Sequence, residues 1–505
     1  MKKVLIYSIS LHGDEEAMAL QEAKEYISKG NSVLYLSCDE SLCGCKLNPL
    51  FKRNQCKMCS FLQHARMKRI LPIGVVLKNL KDYSDKNSAR HISEFKYAYT
   101  NIAELKSLTY CGVKIGYAAL STYITLTRNL DAQFMGAVKL YIDILLQHQI
   151  RLTDSIIRIL DDYKPDLIYL FNGRFAEYRP VLDLARIRNI EFVVTENVKC
   201  PPNCVRRNLF YNSIPHDAYA CNEKYEIMWK SYSDPVEREK LARSFYENRR
   251  NAVFAGDKIY VKEQQNGLMP PNWDKAKDNI VIFNSSEDEF CSINERIDSE
   301  RVFPTQIDGI CTIVAHYKND GNKHFWLRVH PNLKGLPFHY HQDLYKLSYS
   351  NLTVIPADSP ISTYALMDAA SKVIVFGSTT GIEATYWGKP VINLVFSYYN
   401  QLHVVHTPKT EKELWKLIDD QDLPCLYNDN VLKFGLFPMS VRKMEDNHDF
   451  PMDYKTYSFF GKKLYVQHYR NYYFHSLGLT ALVELVAWKL GSLLSRNPFK
   501  KVPID

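Results

Sequence analysis

Residues 324–396 constrain this chain more than any other stretch. They read HFWLRVHP, then LTVIPADSP, then YALMDAASKVIVFGSTTGIEATYWGKPVINLVF. Short β-branched and aromatic runs alternate with helical stretches, and each run ends in polar residues. WLRV leads into His330-Pro331, and VIVFG leads into Ser378-Thr379-Thr380-Gly381 just before a helix. Such alternation builds a parallel sheet, and open sheets of this kind bind ligands at the carboxyl ends of their strands. A helix start there offers free N–H groups to an anion. The stretch predicts a site for a phosphate, in a nucleotide diester or diphosphate, beside a histidine.

At 505 residues the chain exceeds a single hydrophobic core, so two domains are expected. Its 46% apolar and 24% charged content is that of a globular protein and excludes a disordered one. The net charge of +8 suits an anionic ligand or membrane surface, and its dispersal argues against nucleic acid. VLIYSIS after Met1-Lys2-Lys3 lacks a small-residue cleavage site and runs into Asp14-Glu15-Glu16; it reads as a first strand. No stretch reaches the ~18–20 uncharged apolar residues that span a bilayer. The expected compartment is the cytoplasm, where cysteines are thiols or metal ligands rather than disulfides.

The first half opens like a nucleotide fold without a glycine fingerprint: strand KVLIYSIS, a helix over 15–29, strand SVLYLSC. A helix-rich region follows from about residue 60 to 162, then PDLIYLFNGR, a helix over 176–188, and IEFVVTEN. The polar, Gly- and Pro-bearing residues 262–278 read as a linker. Alternation restarts beyond it with NIVIFNSS and a helix near 303–317. The expected boundaries are 1–261, linker 262–278, 279–440, and a C-terminal helical tail over 441–505.

Two α/β domains in series around a cleft resemble the GT-B architecture of glycosyltransferases. The second half is similar to the capsular polysaccharide synthesis family, which includes bacterial Kdo transferases. The residues that carry this likeness are NSSEDE (284–289), RVHPN (328–332), DSPISTYALM (358–367) and FGSTTGIEATYWGKPVI (376–392). The resemblance implies that His330 contacts the donor phosphate and helps the nucleotide leave. As His⁺ it would neutralise or protonate that phosphate. Pro331 ends the strand, and Arg328 is either a second phosphate contact or an ion-pair partner. Ser378, Thr379 and Thr380, with Gly377 and Gly381 permitting close backbone approach, would donate to the phosphate; a plain helix cap is the alternative. Glu383 would accept from ribose hydroxyls. Ser285, Ser286 and Glu287 face the cleft, and Asp358 and Ser359 approach the base or sugar.

An inverting transferase needs a base for the acceptor hydroxyl. The candidates at first-domain strand ends are His12, Asp14 and Glu196, with Asp14 also suited to an N-cap. Asn172 and Arg174 are expected on the acceptor, Arg174 gripping an anionic sugar or lipid phosphate. Catalysis itself is expected to need no metal. Separately, Cys38, Cys45, Cys56 and Cys59, with Cys43 as alternative ligand, have spacing for structural zinc, or less readily an iron–sulfur cluster. Tyr472 to Arg496 is apolar, with Trp488 and a basic end; it would pack across the domains or lie on the cytoplasmic face of the inner membrane.

These features point to a glycosyltransferase of bacterial surface-polysaccharide (capsule or lipopolysaccharide) assembly. It would move a sugar from a nucleotide donor, CMP-Kdo or a related CMP-sugar among the candidates, to a saccharide or lipid-linked acceptor. A nucleotide-sugar 2-epimerase, a polyol-phosphate transferase and a non-catalytic scaffold stay open, because fold does not settle chemistry.

Overall fold

The computed structural model of the chain describes residues 1–9, 13–42, 45, 48, 56–57, 59–60, 63–64, 67, 71–200, 204–255, 258–440, 456–459 and 462–465. Its first half builds a six-stranded sheet from β1 (Lys3–Tyr7), β2 (Ser32–Ser37), β3 (Val76–Asn79), β4 (Leu167–Phe171), β5 (Glu191–Cys200) and β6 (Cys204–Tyr211). The order is β3-β2-β1-β4-β5-β6, parallel except for the antiparallel β5–β6 pair. The second half builds a five-stranded, wholly parallel sheet from β7 (Asp278–Phe283), β8 (Lys323–Arg328), β9 (Leu352–Ile355), β10 (Lys372–Val375) and β11 (Val391–Asn393). Its order is β11-β10-β7-β8-β9.

Both orders start mid-sheet, wind to one edge and return to the other side, as doubly wound Rossmann-like sheets do. Two such units in one chain make the architecture α/β and GT-B-like. The strands read as continuous apolar runs because helices cover both faces: LIYLF of β4 and KVIV of β10 are buried throughout. In the second sheet β7 lies between β8 and β10, whose connections leave in opposite directions. A crevice therefore opens over the carboxyl ends of these three strands.

Two strands of the first sheet carried no sequence signal, and two short strands also stand in the stretch expected to be a helical tail. β3 falls inside the region expected to be helical; it is a four-residue edge strand whose first three residues are exposed. β6 runs antiparallel to β5 at the other edge. The helix expected near 303–317 spans Gln306–His316. Residues 262–277 lie along the second domain, with Trp273 stacked on Trp326 at 4.8 Å. The helix Asn430–Met439 packs on the helices Ala218–Ser231 and Pro235–Arg250. Beyond it two short antiparallel strands, Thr456–Phe459 and Lys462–Tyr465, are described; Tyr472 to Arg496 lies outside the described residues. No helix among the described residues is long and apolar enough to cross a membrane.

The domains are joined through the turn after β7. Arg128 follows the first-domain helix Ile115–Thr127 in the left-handed region (φ 60°) and reaches across. Its Nε donates to Asp288 Oδ2 at 2.8 Å, Nη2 to Ser286 Oγ at 2.6 Å, and Nη1 to the Asn332 carbonyl at 3.0 Å. Lys106 pairs with Asp298 at 2.7 Å, and Arg179 Nη1 donates to the Ile293 carbonyl at 3.1 Å. Asp288 is buried, so removing its partner strands a carboxylate. Arg128→Ala is expected to lower the unfolding free energy by roughly 2–4 kcal/mol, the lower part of that range reflecting partial solvent exposure of the arginine. Urea denaturation measures it, and a loss below about 1 kcal/mol would mean the contact is incidental.

Candidate functional site

Three strand ends converge on one cleft, with an empty volume of about 1020 Å³ counting its open mouth. Asn284, Ser285 and Ser286 follow β7; Arg328, His330 and Pro331 end β8; Gly377, Ser378, Thr379 and Thr380 follow β10. Gly377 has φ 77°, and a Cβ there would stand 2.5 Å from the Phe396 carbonyl oxygen. Only glycine fits such a position. Its N–H donates to Asn393 Oδ1 at 3.0 Å, which fixes the loop. The Thr380–Tyr386 helix follows, its first N–H donating to Ser378 Oγ at 3.3 Å. Ser378 Oγ donates to Thr380 Oγ1 at 3.0 Å.

His330 is held from both sides. Its backbone N–H donates to Asn284 Oδ1 at 2.8 Å, and its Nδ1 accepts from the Asn332 N–H at 3.1 Å. An accepting Nδ1 places the proton of the neutral ring on Nε2. Tyr260 meets the ring edge-on at 4.9 Å. Burial, then the positive charges of Arg128, Arg249 and Lys258, push the His330 pKa down to about 4. The sequence suggested an imidazolium; in the folded chain without ligand the ring is a neutral N–H donor at pH 7, because the low-dielectric site already holds cations.

Arg328 is buried, and burial pushes its pKa down to about 10. Its two terminal nitrogens donate to the carbonyls of Pro356 and Ser359, while Nε has no partner among the described residues. No carboxylate lies within ion-pair distance of it among the described residues, so of the two roles expected, ion pairing is not seen. A buried guanidinium in that state is poised for an anion.

The remaining expected residues divide. Glu383 lines the cleft, but its carboxylate already accepts from Arg249 Nε at 2.9 Å and from the Tyr364 hydroxyl. Gly381 sits beneath it, where a Cβ would meet the Tyr399 hydroxyl at 2.5 Å. Ser285 is engaged by Gln306, whose Nε2 donates to its Oγ at 2.9 Å. Glu287 turns away from the cleft to Arg301 at 2.9 Å, and burial raises its pKa. Asp358 and Ser359 line an adjoining chamber rather than the cleft itself.

On the first-domain side, Asn172 donates to Glu196, and Arg174 lies beside them. Arg174 Nη1 reaches the Glu289 carbonyl at 3.2 Å, and burial pushes its pKa down. Asn172 and Arg174 follow β4, whereas Glu196, expected at a strand end, lies within β5 just beyond its pairing with β4; none of the three lines the cleft. His12 and the side chain of Asp14 lie outside the described residues. Arg128, Arg249, Lys258, Tyr260, Gln264 and Tyr364 belong to the site or its support and went unnoticed in the sequence. Arg249 sits in an ordinary charged helix, and residues 258–264 read as the approach to a linker.

Of the cysteines, Cys43 lies outside the described residues. Cys38, Cys45, Cys56 and Cys59 are partly buried, and Cys56 Sγ accepts from Asn48 Nδ2 at 3.1 Å. Among the described residues no group of three or more His, Cys, Asp or Glu side chains is placed to hold a metal ion.

No protein family and no curated protein matches this sequence. Solved structures of similar layout include KpsC of Thermosulfurimonas dismutans, a beta Kdo 2,4 transferase. It is 13% identical with a TM-score of 0.34, over 53% of this chain and 78% of that one. The UDP-GlcNAc 2-epimerase of Neisseria meningitidis is 13% identical with a TM-score of 0.26, over 86% and 98%. The calicheamicin glycosyltransferase CalG4 is 11% identical with a TM-score of 0.22, over 87% and 94%. The functional reading rests on the cleft itself.

Two outcomes are expected. In a proton NMR titration of the free protein, His330 titrates well below 6.5 and moves upward when a nucleotide is added; a free-protein value at or above 6.5 contradicts the neutral ring. Because its folded pKa is depressed, the unfolded chain binds more protons between about pH 4 and 6.5, so this group lowers stability as pH falls through that window. Metal analysis decides the cysteine expectation: about one zinc per chain, reduced by Cys56→Ser, supports it, and a metal-free protein removes it.

Proposed function

We propose that this chain is a glycosyltransferase that takes a sugar from a nucleotide donor, a CMP-linked sugar first, and passes it to a saccharide or lipid-linked acceptor in bacterial surface-polysaccharide assembly. The observation that carries the reading is the convergence of a buried, unpaired Arg328, the Nε2–H of His330 and the Ser378–Thr380 turn on one cleft at the switch point of the second sheet.

In this reading the donor phosphate lies against His330 and Ser378–Thr379. The acceptor hydroxyl attacks the anomeric carbon, the bond from that carbon to the phosphate oxygen breaks, and the nucleotide leaves with the electron pair. Charge then builds on the phosphate, where the Nε2–H strengthens its hold and the nearby Arg328 charge stabilises the developing anion without reorganisation. The growing negative charge also raises the His330 pKa, so the ring becomes able to hold a proton as the nucleotide departs. We assign the base for the acceptor hydroxyl to the first-domain edge bearing His12, Asp14 and Glu196. One base and a direct attack give inversion. Arg328 and the hydroxyl and amide donors supply the charge neutralisation, so the proposal is of metal-independent catalysis.

One observation favours a second reading. Among the described residues the cleft is lined by the 249–264 segment and the second domain, as would suffice for an isomerase acting on the nucleotide sugar alone. Product analysis separates the two, because a transferase needs an acceptor and an epimerase converts the donor without one.

A thermal-shift panel of CMP, CDP, UDP, GDP and nucleotide sugars tests the site. A ligand at ~100 times its dissociation constant adds ~2.7 kcal/mol to the folded state. His330→Ala is expected to keep the melting midpoint of the free protein and to lower turnover by about 100-fold or more. Full activity in that variant, or silence of the wild type across the panel, contradicts the proposal.

A further inference from the structure

Two shielded N–H groups at this site have no hydrogen-bond partner among the described residues: Arg328 Nε and Gln264 Nε2. Gln264 lies between the two sheets in sequence, in a segment fastened to the second domain. The Gln265 N–H donates to the Pro360 carbonyl at 2.8 Å, and the Ser362 N–H to the Leu268 carbonyl at 3.0 Å. The orientation of the Gln264 amide is set as well, because its Oε1 accepts from the Thr363 N–H at 2.8 Å. The NH₂ end is thereby committed to the side where nothing receives it.

A second chamber of about 1040 Å³, counting its open mouth, adjoins the cleft. Arg328, Gln264, Tyr260 and Pro331 line both, so they form the passage between them. Around the second chamber stand Lys258, Lys262, Lys334 and Arg328 against Glu263 and Asp358. Cations outnumber carboxylates there. A group that takes two N–H donors in such surroundings, offering none of its own, is an oxyanion.

We propose that the segment between the domains is part of the ligand site: Gln264 Nε2 and Arg328 Nε donate together to a second oxyanion of the ligand, beyond the phosphate held by His330. The ligand then reaches from the cleft into the second chamber. That oxyanion is the second phosphate of a nucleoside diphosphate or the carboxylate of an acidic sugar. The placement relative to the first phosphate rests on the proposed function; the oxyanion contact itself does not.

The informative variant is Gln264→Glu, which keeps an oxygen for the Thr363 N–H and replaces the unpaired NH₂ by a second oxygen. Gln265→Glu puts the same charge on the exposed neighbouring residue and serves as control. Calorimetric titration of both variants and the wild type would use CMP, CDP, CMP-N-acetylneuraminate and inorganic pyrophosphate. The wild type is expected to bind CDP more tightly than CMP if the oxyanion is a phosphate, or CMP-N-acetylneuraminate more tightly if it is a carboxylate. Gln264→Glu should weaken that ligand by roughly tenfold or more at an unchanged melting midpoint, with Gln265→Glu within about threefold of wild type. Equal affinities of the two variants for every probe overturn the inference and leave the functional reading standing. If the wild type binds none of the nucleotides, the functional reading fails by itself and pyrophosphate decides: binding weakened by Gln264→Glu keeps the oxyanion contact, and absent or insensitive binding overturns it.

Discussion

Everything at the cleft depends on β7 being the central strand of a wholly parallel sheet, hydrogen-bonded to β8 on one side and β10 on the other. Parallel pairing sends the carboxyl ends of all three strands to one edge. Asn284, His330 and the Gly377–Thr380 turn, far apart in sequence, therefore arrive together. Asn284 shows the consequence at atomic scale: a side chain from the end of β7 receives the backbone N–H of His330 from the end of β8. The ring is then oriented by its own chain through the Asn332 N–H. A shift of β7 would displace the histidine, its tautomer and the turn after β10 at once.

Charge at the site is arranged with the same economy. Arg249 is matched by Glu383, and Arg128 by Asp288. Arg328, buried and held only by neutral carbonyls, remains for a ligand. Burial, with the positive charges of Arg128, Arg249 and Lys258, keeps His330 neutral, so the ring can donate a hydrogen bond without adding another cation. Arg128 also links this balance to the first domain. The turn that carries Ser286 and Asp288 is gripped by a residue from beside the first sheet, so docking of the domains and the shape of the cleft are coupled.

Much of this was legible in the sequence because parallel strands buried on both faces announce themselves. LIYLF, NIVIF and KVIVFG can scarcely be anything else, and a polar residue that ends such a run belongs to the ligand edge. That logic found Arg328, His330 and the Ser378–Thr380 turn. It did not find β3, whose VLKN is too short and too exposed to carry a period. It placed Glu287 at the cleft, but alternation along an irregular turn does not hold, and the side chain goes to Arg301. The protonation state of His330 was beyond it, since the arginines that depress it come from positions 128 and 249. Gln264 was hidden for a different reason. Polar, Gly- and Pro-rich segments look like spacers, and only the fold shows that this one lines the cleft and the chamber beside it.

The central claim is that the cleft holds a nucleotide phosphate between His330 and the turn after β10. A crystal structure of the protein soaked with the nucleotide that stabilises it most tests this directly. The account predicts a phosphate oxygen within hydrogen-bond distance of His330 Nε2, with the other oxygens facing Ser378 and Thr379. A nucleotide bound elsewhere, or one whose phosphate leaves Arg328 and His330 untouched, would contradict it.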